Sequence, residues 1–506
     1  MPNFFQKIKD NFFLNFVFLF FFILILKGSP VPGINEYVYL LSPVKQWDNN
    51  FLLNDWTFSK PDSAHFIFNI FISPLFLLFS PETVGWIGRI ICWSLTIIAL
   101  FQIGKHFLIP MWLITISILI WLLQGQAIVG DEWIFWMFEA KCVSYIFLLF
   151  SINEFIKNRV ILPSILLGLS FSFHASVGFF GGCAVIFTLF VLRYPVKKLT
   201  KIILITILFS LPGLIPLLPV MFGSNNTSED WKFMSLIVMR SHLDPFSWVK
   251  RNILSLYILL MFNWLHFRQN RNNHALRFLI SFQVFICIFF SLGLIFRYAE
   301  EYEILRFFPF RLFPLFVPLF FFFHLMSAYY HRSLIEQKRE LFAIGLIALL
   351  ALSNPIGGFV DQVRENYKEW TVEDDDLIRT FKWLSENTPN GAIVISPPWR
   401  RDNWYFSKRA QIACWYPSYE RFGEWRERIE AMTGDDLRKF RKKRGEPWSD
   451  VMEPYYNKLT EKDIESIMEK YRANYLVSKQ DYIYPILFNS GTYKVYSLKE
   501  YLNASD

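Results

Sequence analysis

Two carboxylates in the first polar stretch of the chain, residues 28–62, are the first candidates for chemistry. Glu36 lies in the piece INEYVY and Asp55 in LLNDWTF, so apolar and aromatic residues flank both. An acidic group held in this way can act as a general base on a hydroxyl or bind a divalent metal ion. The alternative is a pair of solvated loop carboxylates. Asp48 and Asp62 lie in ordinary turn sequence and are expected to be solvated.

A second polar group lies in DEWIFWMFEAKCVSY, residues 131–145. Glu139 and Lys141 flank the start of an apolar segment, where a charge is costly unless it is paired or faces a polar cavity. A structural ion pair or a snorkelling lysine is one explanation. The other is that Glu139 lines a cavity, with WIFWMF holding the helix flat in a membrane interface.

His174 interrupts an apolar stretch in the sequence GLSFSFHASVGFFGG. A lone membrane histidine usually makes a hydrogen bond between helices. The small residues that follow, Ser176 and Gly178 among them, also permit a broken helix, and broken helices line cavities inside membranes. His174 is therefore a candidate for substrate binding, with the structural role as the alternative.

Two arginines in RYAEEYEILRFFPFRLFPL are candidates for binding phosphate. The planar guanidinium group matches phosphate oxygens. Arg306 is expected at the membrane interface, where a simple anchor explains it. Arg311 lies deeper in the apolar sequence, beside Pro309 and Pro314, and a phosphate arriving from the bilayer would be a suitable partner for it.

The C-terminal part of the chain has six arginines among aromatic residues. Arginine and aromatic groups together suit carbohydrate or acidic headgroups. The alternative is a solvated helix face that packs on the membrane domain. These arginines are Arg400, Arg401, Arg409, Arg421, Arg426 and Arg428.

The composition indicates a mainly α, polytopic membrane protein. Of the 506 residues, 53% are hydrophobic and 57 are Phe, and the apolar residues occur in blocks. The net charge of +8 comes from Lys and Arg in short loops between those blocks, which indicates membrane topology and no nucleic-acid partner. Membrane lipids, including anionic ones, are the expected surroundings.

Twelve segments are candidates for membrane spans. They are approximately 11–27, 64–79, 84–103, 107–123, 140–156, 160–174, 177–192, 200–221, 249–266, 275–296, 307–329 and 341–357. Segment 64–79 is short, carries His65 and Asn69 and is broken by Pro74, so it is expected to be re-entrant or interfacial. About eleven transmembrane helices remain.

The basic loops set the orientation. By the positive-inside rule they lie in the cytoplasm together with the N-terminus. The C-terminal region and the polar clusters described above then share the extracytoplasmic face, as candidate walls of one site. We expect a transmembrane domain over residues 1–360, with an acidic first outer loop at 28–83, and a soluble extracytoplasmic α/β domain over 361–506.

The last 140 residues alternate helical and strand patterns. A helix is predicted at 376–387, with Leu377, Phe381 and Leu384 on one face. Further helices are expected at 419–432, 435–443 and 461–472, and strands at 392–397, 410–416, 474–478 and 492–498. This order is typical of a small α/β domain. It contains no GxGxxG or Walker A loop.

These features together resemble the GT-C superfamily of polytopic glycosyltransferases, in a bacterial subgroup of mostly unassigned function. The resemblance rests on NEYVYL and NDWTF in the first outer loop, WMFEAK, HASVG, RFFPFRLFP, and the C-terminal WLSENTPNGAIVISPPW, FSKRAQIACWYPS and EWRERIE. It implies that Glu36 or Asp55 is the catalytic base or a metal ligand and that Arg306 or Arg311 holds a lipid phosphate. The paired acidic dipeptide common in that loop is absent here.

The implied activity is transfer of a sugar from a polyprenyl-phosphate-linked donor to an acceptor outside a bacterial inner membrane, with the cell envelope as its setting. Glu36 and Asp55 are the candidate catalytic residues, and a divalent metal ion is a possible cofactor. Substrate binding is assigned to Glu139, Lys141, His174, Arg306 and Arg311. The alternative is a non-catalytic membrane protein that binds or moves a lipid-linked glycan with the same arginines and no base.

Overall fold

The computed structural model describes most of the chain. The described residues are 10–60, 62–223, 226–332, 336–349, 360, 362–364, 366–367, 370, 375–440, 442 and 446–498. The chain divides into two compact units. The first comprises Met1–Ser29, Trp86–Pro216 and Met234–Glu369, and the second comprises Pro30–Gly85, Leu217–Phe233 and Trp370–Asp506. Residues 30–85, which include most of the loop predicted to be the first outer one, therefore belong to the same unit as the C-terminal region.

The first unit is a bundle of apolar helices. Its principal helices are Phe12–Lys27, Pro81–Lys105, Met111–Leu123, Ala140–Ile156, Ile161–Phe173, Ala175–Val191, Val196–Gly223, Lys250–Gln269, His274–Tyr298, Phe313–His331 and Glu336–Leu349, and the short ones are Arg240–Leu243 and Tyr302–Leu305. Each matches one of the twelve predicted segments, apart from the two short helices. Residues 350–357 of the last predicted segment lie outside the described residues.

Four helices within the described residues are long and apolar enough to cross a membrane. They are Pro81–Lys105, Val196–Phe222, His274–Tyr298 and Phe313–His331. Five further apolar helices are shorter, at 10–17 residues. The protein is thus an integral membrane protein with at least four helices of spanning length, and the count of eleven stays a prediction.

Two of these helices differ in what surrounds them. Phe313–His331 is buried along nearly its whole length and packs against Met111–Leu123 and Lys250–Gln269, so it forms the centre of the bundle. Of the most apolar 18 residues of Val196–Phe222, only 11% are buried inside the protein. An apolar helix that the protein leaves uncovered is stable where lipid is the solvent.

The predicted segment 64–79 forms a short helical run, Ser63–Leu77. Its α-helix, Phe66–Ile72, is flanked by 3-10 turns at Ser63–His65 and Ser73–Leu77. Pro74 lies at the start of the last turn, where its missing N–H costs little. The run is shorter than the four helices of spanning length, and its re-entrant or interfacial position stays a prediction.

The second unit contains a five-stranded sheet. Its strands are β1 (Ile393–Ile395), β2 (Ala410–Gln411), β3 (Tyr475–Ser478), β4 (Ile486–Asn489) and β5 (Lys494–Ser497). The order is β2-β1-β3-β5-β4, with β1 parallel to β2 and β3, and β5 antiparallel to β3 and β4. The helices of this unit are Glu36–Tyr39, Leu41–Trp47, Phe66–Ile72, Ser228–Phe233, Asp376–Asn387, Asn403–Phe406, Phe422–Thr433, Trp448–Tyr456 and Glu461–Tyr471.

Helix Asp376–Asn387 packs on this sheet as its sequence predicts. The Asp375 side chain caps it by accepting a hydrogen bond from Ile378 N. Its apolar face then meets Val394, Val477 and Val495 of the sheet. The residues of that face are the predicted Leu377, Phe381 and Leu384.

Some C-terminal elements differ from their prediction. Among the described residues of 435–443 there is a 3-10 turn, Leu437–Lys439, in place of the predicted helix, and residues 441 and 443 lie outside the described part of the chain. The segment 410–416 pairs as a strand only at Ala410–Gln411. The helix Trp448–Tyr456 and the strand β4 were not predicted. In β4 both faces are largely exposed, so its sequence lacks the alternation that marks a half-buried strand.

A second apolar core joins the first outer loop to the C-terminal region within this unit. Val38, Leu41, Leu52 and Phe58 from the loop pack with Trp404 and Cys414. Burial of these side chains holds the loop against the chain around β2. The carboxylates of the loop are therefore positioned by contacts that span more than 300 residues of sequence.

Candidate functional site

The segment that carries Glu132 is irregular and buried, and one glutamine holds it in place. Gln126 Oε1 accepts hydrogen bonds from Ile134 N (2.8 Å) and Phe135 N (2.9 Å), and its Nε2 donates to Phe135 O (2.9 Å). The amide thus replaces the backbone partners that a helix would supply. The expectation that WIFWMF lies flat in an interface is wrong, because five of its six residues are buried inside the first unit.

Glu132 is the centre of a buried ion cluster in the first unit. Its Oε2 accepts a hydrogen bond from Arg311 Nη1 at 3.1 Å, and its Oε1 lies 3.7 Å from Lys141 Nζ. Lys141 Nζ is also 3.5 Å from Glu139 Oε2 and lies 3.6 Å from the centre of the Trp133 ring. The structure therefore joins three of the predicted binding residues, Glu139, Lys141 and Arg311, through a glutamate to which no role had been given.

The cluster keeps its charges paired despite burial. Glu132 is 2% exposed, and burial acts to raise its pKa, but Arg311 and Lys141 hold the pKa of its carboxyl below the usual value. Two cations and two anions at these distances balance one another, which a buried charge requires. A ligand phosphate that binds Arg311 would accept hydrogen bonds from a guanidinium group that also donates to Glu132.

The two other predicted binding residues of this unit lie in different local settings. Arg306 follows the short helix Tyr302–Leu305, is half-buried and has its guanidinium carbon 5.1 Å from the centre of the Phe307 ring. His174 lies between the helices Ile161–Phe173 and Ala175–Val191, and its Nδ1 is 3.3 Å from Ser176 Oγ and 3.5 Å from Val177 N.

The helix break at His174 is enforced by a glycine. A Cβ added at Gly178 would lie 2.2 Å from both Cα and N of Phe171. Only glycine allows the backbones of the two helices to approach this closely. His174 acts as the N-cap residue of the second helix, so its structural role is visible in the geometry, and its role in binding stays a prediction.

Asp55, in the second unit, is fully buried with four hydrogen bonds to its carboxylate. Oδ1 accepts from Thr57 N (2.8 Å) and Phe58 N (3.2 Å), and Oδ2 accepts from Trp404 Nε1 (2.7 Å) and Gln411 N (3.0 Å). Burial raises the pKa of Asp55 to about 6, against these hydrogen bonds, which lower it. Since Gln411 is in the edge strand β2, this carboxylate fastens the first loop to the sheet.

Glu36 is also fully buried, at the start of the short helix Glu36–Tyr39. Its Oε2 accepts a hydrogen bond from Gly33 N at 2.7 Å. The neighbouring Asn35 accepts from Arg401 Nη1 at 3.0 Å. Neither Glu36 nor Asp55 is a solvated loop carboxylate. Both belong to the second unit, and the predicted binding residues belong to the first, so their shared site stays a prediction.

Asp62 and His65 form a pair that had not been considered as a site. Asp62 Oδ2 lies 2.8 Å from His65 Nδ1, and His65 Nε2 lies 3.2 Å from the Tyr39 hydroxyl. Asp62 also caps the turn Ser63–His65 by accepting from Ala64 N. The expectation of a solvated Asp62 is wrong in this respect. The three-residue spacing between Asp62 and His65 is the signal in the sequence that could have indicated the pair.

The C-terminal arginines make contacts within the second unit. Arg400 pairs with Asp402 and Asp375, Arg426 pairs with Asp230 at 2.9 Å, and Arg421 Nη2 donates to Trp56 O at 2.7 Å. Each of the remaining three also donates to, or pairs with, groups of this unit. These contacts lie within the second unit, so neither carbohydrate binding nor a helix face packed on the membrane domain is tested by them.

The described residues do not offer a donor set for a metal ion. Among them, no group of three or more His, Cys, Asp or Glu side chains is arranged to hold one. The four N–H donors to Asp55 occupy the lone-pair positions of its carboxylate. The role of a divalent metal ion stays a prediction.

The architecture of apolar helices with a small C-terminal sheet allows a comparison with solved structures. The fold is similar to that of an archaeal oligosaccharyltransferase. An Archaeoglobus fulgidus oligosaccharyltransferase in complex with Zn and sulfate matches 92% of this chain and 68% of its own, with a TM-score of 0.51 and 11% identity. The oligosaccharyltransferase AglB from the same organism, in complex with an inhibitory peptide and a dolichol-phosphate, matches 92% and 69%, with a TM-score of 0.53 and 11% identity.

These similarities concern the fold. At 11% identity, the expected membership of the GT-C superfamily stays a prediction. No protein-family model matches the sequence, and no curated protein matches it.

Proposed function

We propose that this protein is a membrane glycosyltransferase that uses a polyprenyl-phosphate-linked sugar and acts on the extracytoplasmic face of a bacterial inner membrane. The observation that carries the proposal is the fold, which over 92% of the chain is similar to an enzyme whose structure contains a dolichol-phosphate. A chain built of apolar helices gives a lipid-linked donor direct access from the bilayer.

In the proposed reaction, the oxygen of an acceptor hydroxyl attacks the anomeric carbon of the sugar. The bond from that carbon to the phosphate oxygen breaks, the configuration is inverted, and the lipid leaves as its phosphate. The proton of the hydroxyl passes to a carboxylate of the first outer loop. Arg311 stabilises the negative charge on the leaving phosphate, with Arg306 as the second candidate.

Glu36 and Asp55 are the two candidates for the base, and a specific cost attaches to Asp55. All four hydrogen bonds to Asp55 come from N–H groups of the protein, so its oxygens are engaged in fastening the loop. A carboxylate in that state would have to release donors before accepting a proton from substrate. Glu139, Lys141 and His174 keep their proposed roles in binding, the first two by holding Glu132 and Arg311 in position.

Single variants test the base. Purified protein in lipid nanodiscs is given polyprenyl-phosphate-linked sugars carrying a radioactive label, and transfer of the label to a water-soluble product is measured. We expect Glu36→Gln to reduce turnover by about 10²–10⁴-fold while donor binding is retained. Asp48→Asn, in the same loop but exposed, is the matched control. Unchanged turnover in both Glu36→Gln and Asp55→Asn would remove the proposed base.

The rival function is a protein that binds or moves a lipid-linked glycan without transfer. It predicts that Arg311→Lys weakens donor binding, because lysine lacks the planar fork, while no acceptor ever receives label. Binding without transfer in the wild-type protein would therefore favour this rival.

A further inference from the structure

A cavity of about 300 Å³ lies in the second unit, and its lining includes none of the residues to which the proposed reaction gives a role. Three segments, 38–49, 57–69 and 416–421, line it together with Val220. Its volume is at the lower end of the range for small-molecule sites, about 300–1,000 Å³. The space suits a ligand of one or two sugar rings.

Asn69 lines this cavity with an unpaired amide. The residue is 1% exposed, and neither its Nδ2 nor its Oδ1 has a hydrogen-bond partner among the residues that the structure describes. A buried amide without partners costs about 1–3 kcal/mol for each group left unsatisfied. A donor and an acceptor side by side are the complement of neighbouring hydroxyl groups on a sugar ring.

His65 lines the same cavity with its orientation fixed. Asp62 holds one ring nitrogen at 2.8 Å, and the Tyr39 hydroxyl contacts the other at 3.2 Å. Burial acts to raise the pKa of Asp62, but His65 holds that pKa below its usual value. Because both ring nitrogens are held, the imidazole has a fixed orientation. Binding a specific ligand requires polar groups that are fixed in this way.

The charges around the cavity favour an acid. Lys45, Lys60 and Arg421 line it against two carboxylates, Asp62 and Glu420, and the first of these already pairs with His65. Arg421 Nε is buried and has no hydrogen-bond partner within the described part of the chain. The cavity thus presents more unmatched positive than negative groups, which favours a carboxylate.

We propose that this cavity binds an acidic carbohydrate, a sugar that carries a carboxylate group. Asn69 binds its hydroxyl groups, Tyr416 and Tyr419 supply aromatic surface, and Lys60 and Arg421 bind its carboxylate. That this sugar is the acceptor of the transfer rests on the proposed function. The binding itself does not.

Calorimetric titration of the full-length protein in nanodiscs tests the proposal. The probes are cellobiouronic acid and its neutral counterpart cellobiose. We expect the acid to bind to the wild-type protein at millimolar concentration and more tightly than the neutral sugar. Asn69→Leu should weaken binding of both about tenfold, the value of one or two hydrogen bonds. Lys60→Gln should reduce only the preference for the acid.

The stability of the variants separates binding from a structural role. Because the Asn69 amide has no described partner, leucine of similar shape should leave the Tm unchanged or raise it. The matched control is Asn54→Leu, at an exposed position of the same loop outside the cavity, which should bind both probes as the wild type does.

The possible outcomes each decide the proposal. Absence of binding to the wild type, wild-type affinity in Asn69→Leu, or equal affinity for the two probes would overturn it. Tighter binding of the acid, lost in Asn69→Leu at unchanged Tm, would support it. If the acid binds in this way but no labelled sugar is transferred in the turnover assay, the proposed function is refuted and the proposed binding site is retained.

Discussion

Asp55→Asn should change how stability depends on pH, and the structure gives the size of the change. Burial raises the pKa of Asp55 from 3.8 to about 6. A difference of about two pKa units between the folded and unfolded states corresponds to about 3 kcal/mol. Because the folded-state pKa is raised, the stability that Asp55 contributes is fully present below pH 3.8 and is lost as the pH rises through about 6.

The asparagine variant removes this titration and keeps the shape of the side chain. The free energy of unfolding of the wild type, measured relative to Asp55→Asn, should therefore fall by about 2 kcal/mol between pH 4.5 and 7.5. The amide also makes or loses hydrogen bonds, which changes the free energy of unfolding of the variant by a constant amount. That constant does not vary with pH.

Denaturant titration followed by tryptophan fluorescence measures this difference, since Trp404 Nε1 donates directly to Asp55. The protein is held in one detergent and titrated at several pH values. Asp48→Asn serves as the control, because Asp48 lies in the same loop and is exposed. A constant difference between wild type and Asp55→Asn across this range would refute the reasoning from burial.

Two further predictions concern the first unit. Glu132→Gln leaves the buried cations Arg311 and Lys141 with one carboxylate fewer, and we expect a loss of about 3–5 kcal/mol, measured as a lower Tm by scanning calorimetry. Gly178→Ala forces apart the backbones of two helices at Phe171, so we expect a destabilisation of about 1–3 kcal/mol by the same measurement, and a Tm equal to that of the wild type would contradict this packing.

The membrane helices could be predicted because hydropathy is a local property. The segment 313–331 is apolar on all sides in the sequence, and in the structure it is the buried centre of the bundle. Pro74 and two polar residues interrupt the apolar run at 64–79, where the structure has a short run of α and 3-10 turns. Hydropathy does not decide the number of spans, since the length of a helix also depends on where its ends pack.

The carboxylates could not be ranked from sequence. Glu36 and Asp55 are flanked by similar apolar residues, yet the four donors to Asp55 include Trp404 and Gln411, which are more than 340 positions away. Glu132 gave no signal beyond its acidic type, and its partner Arg311 lies 179 positions later. Contacts at this range are set by the tertiary fold, so only the structure shows which N–H groups each carboxylate accepts from.

The hydrogen-bond partners of Asp55 and Asn69 distinguish their roles, which the sequence alone does not. Asp55 has all its hydrogen-bonding capacity filled by the protein, as expected for a group that fastens two segments. Asn69 is equally buried and has none of its amide capacity filled within the described residues. A buried group without partners costs stability unless a ligand supplies them. The unpaired amide of Asn69 is therefore a better indication of a binding site than the burial of any carboxylate in this loop.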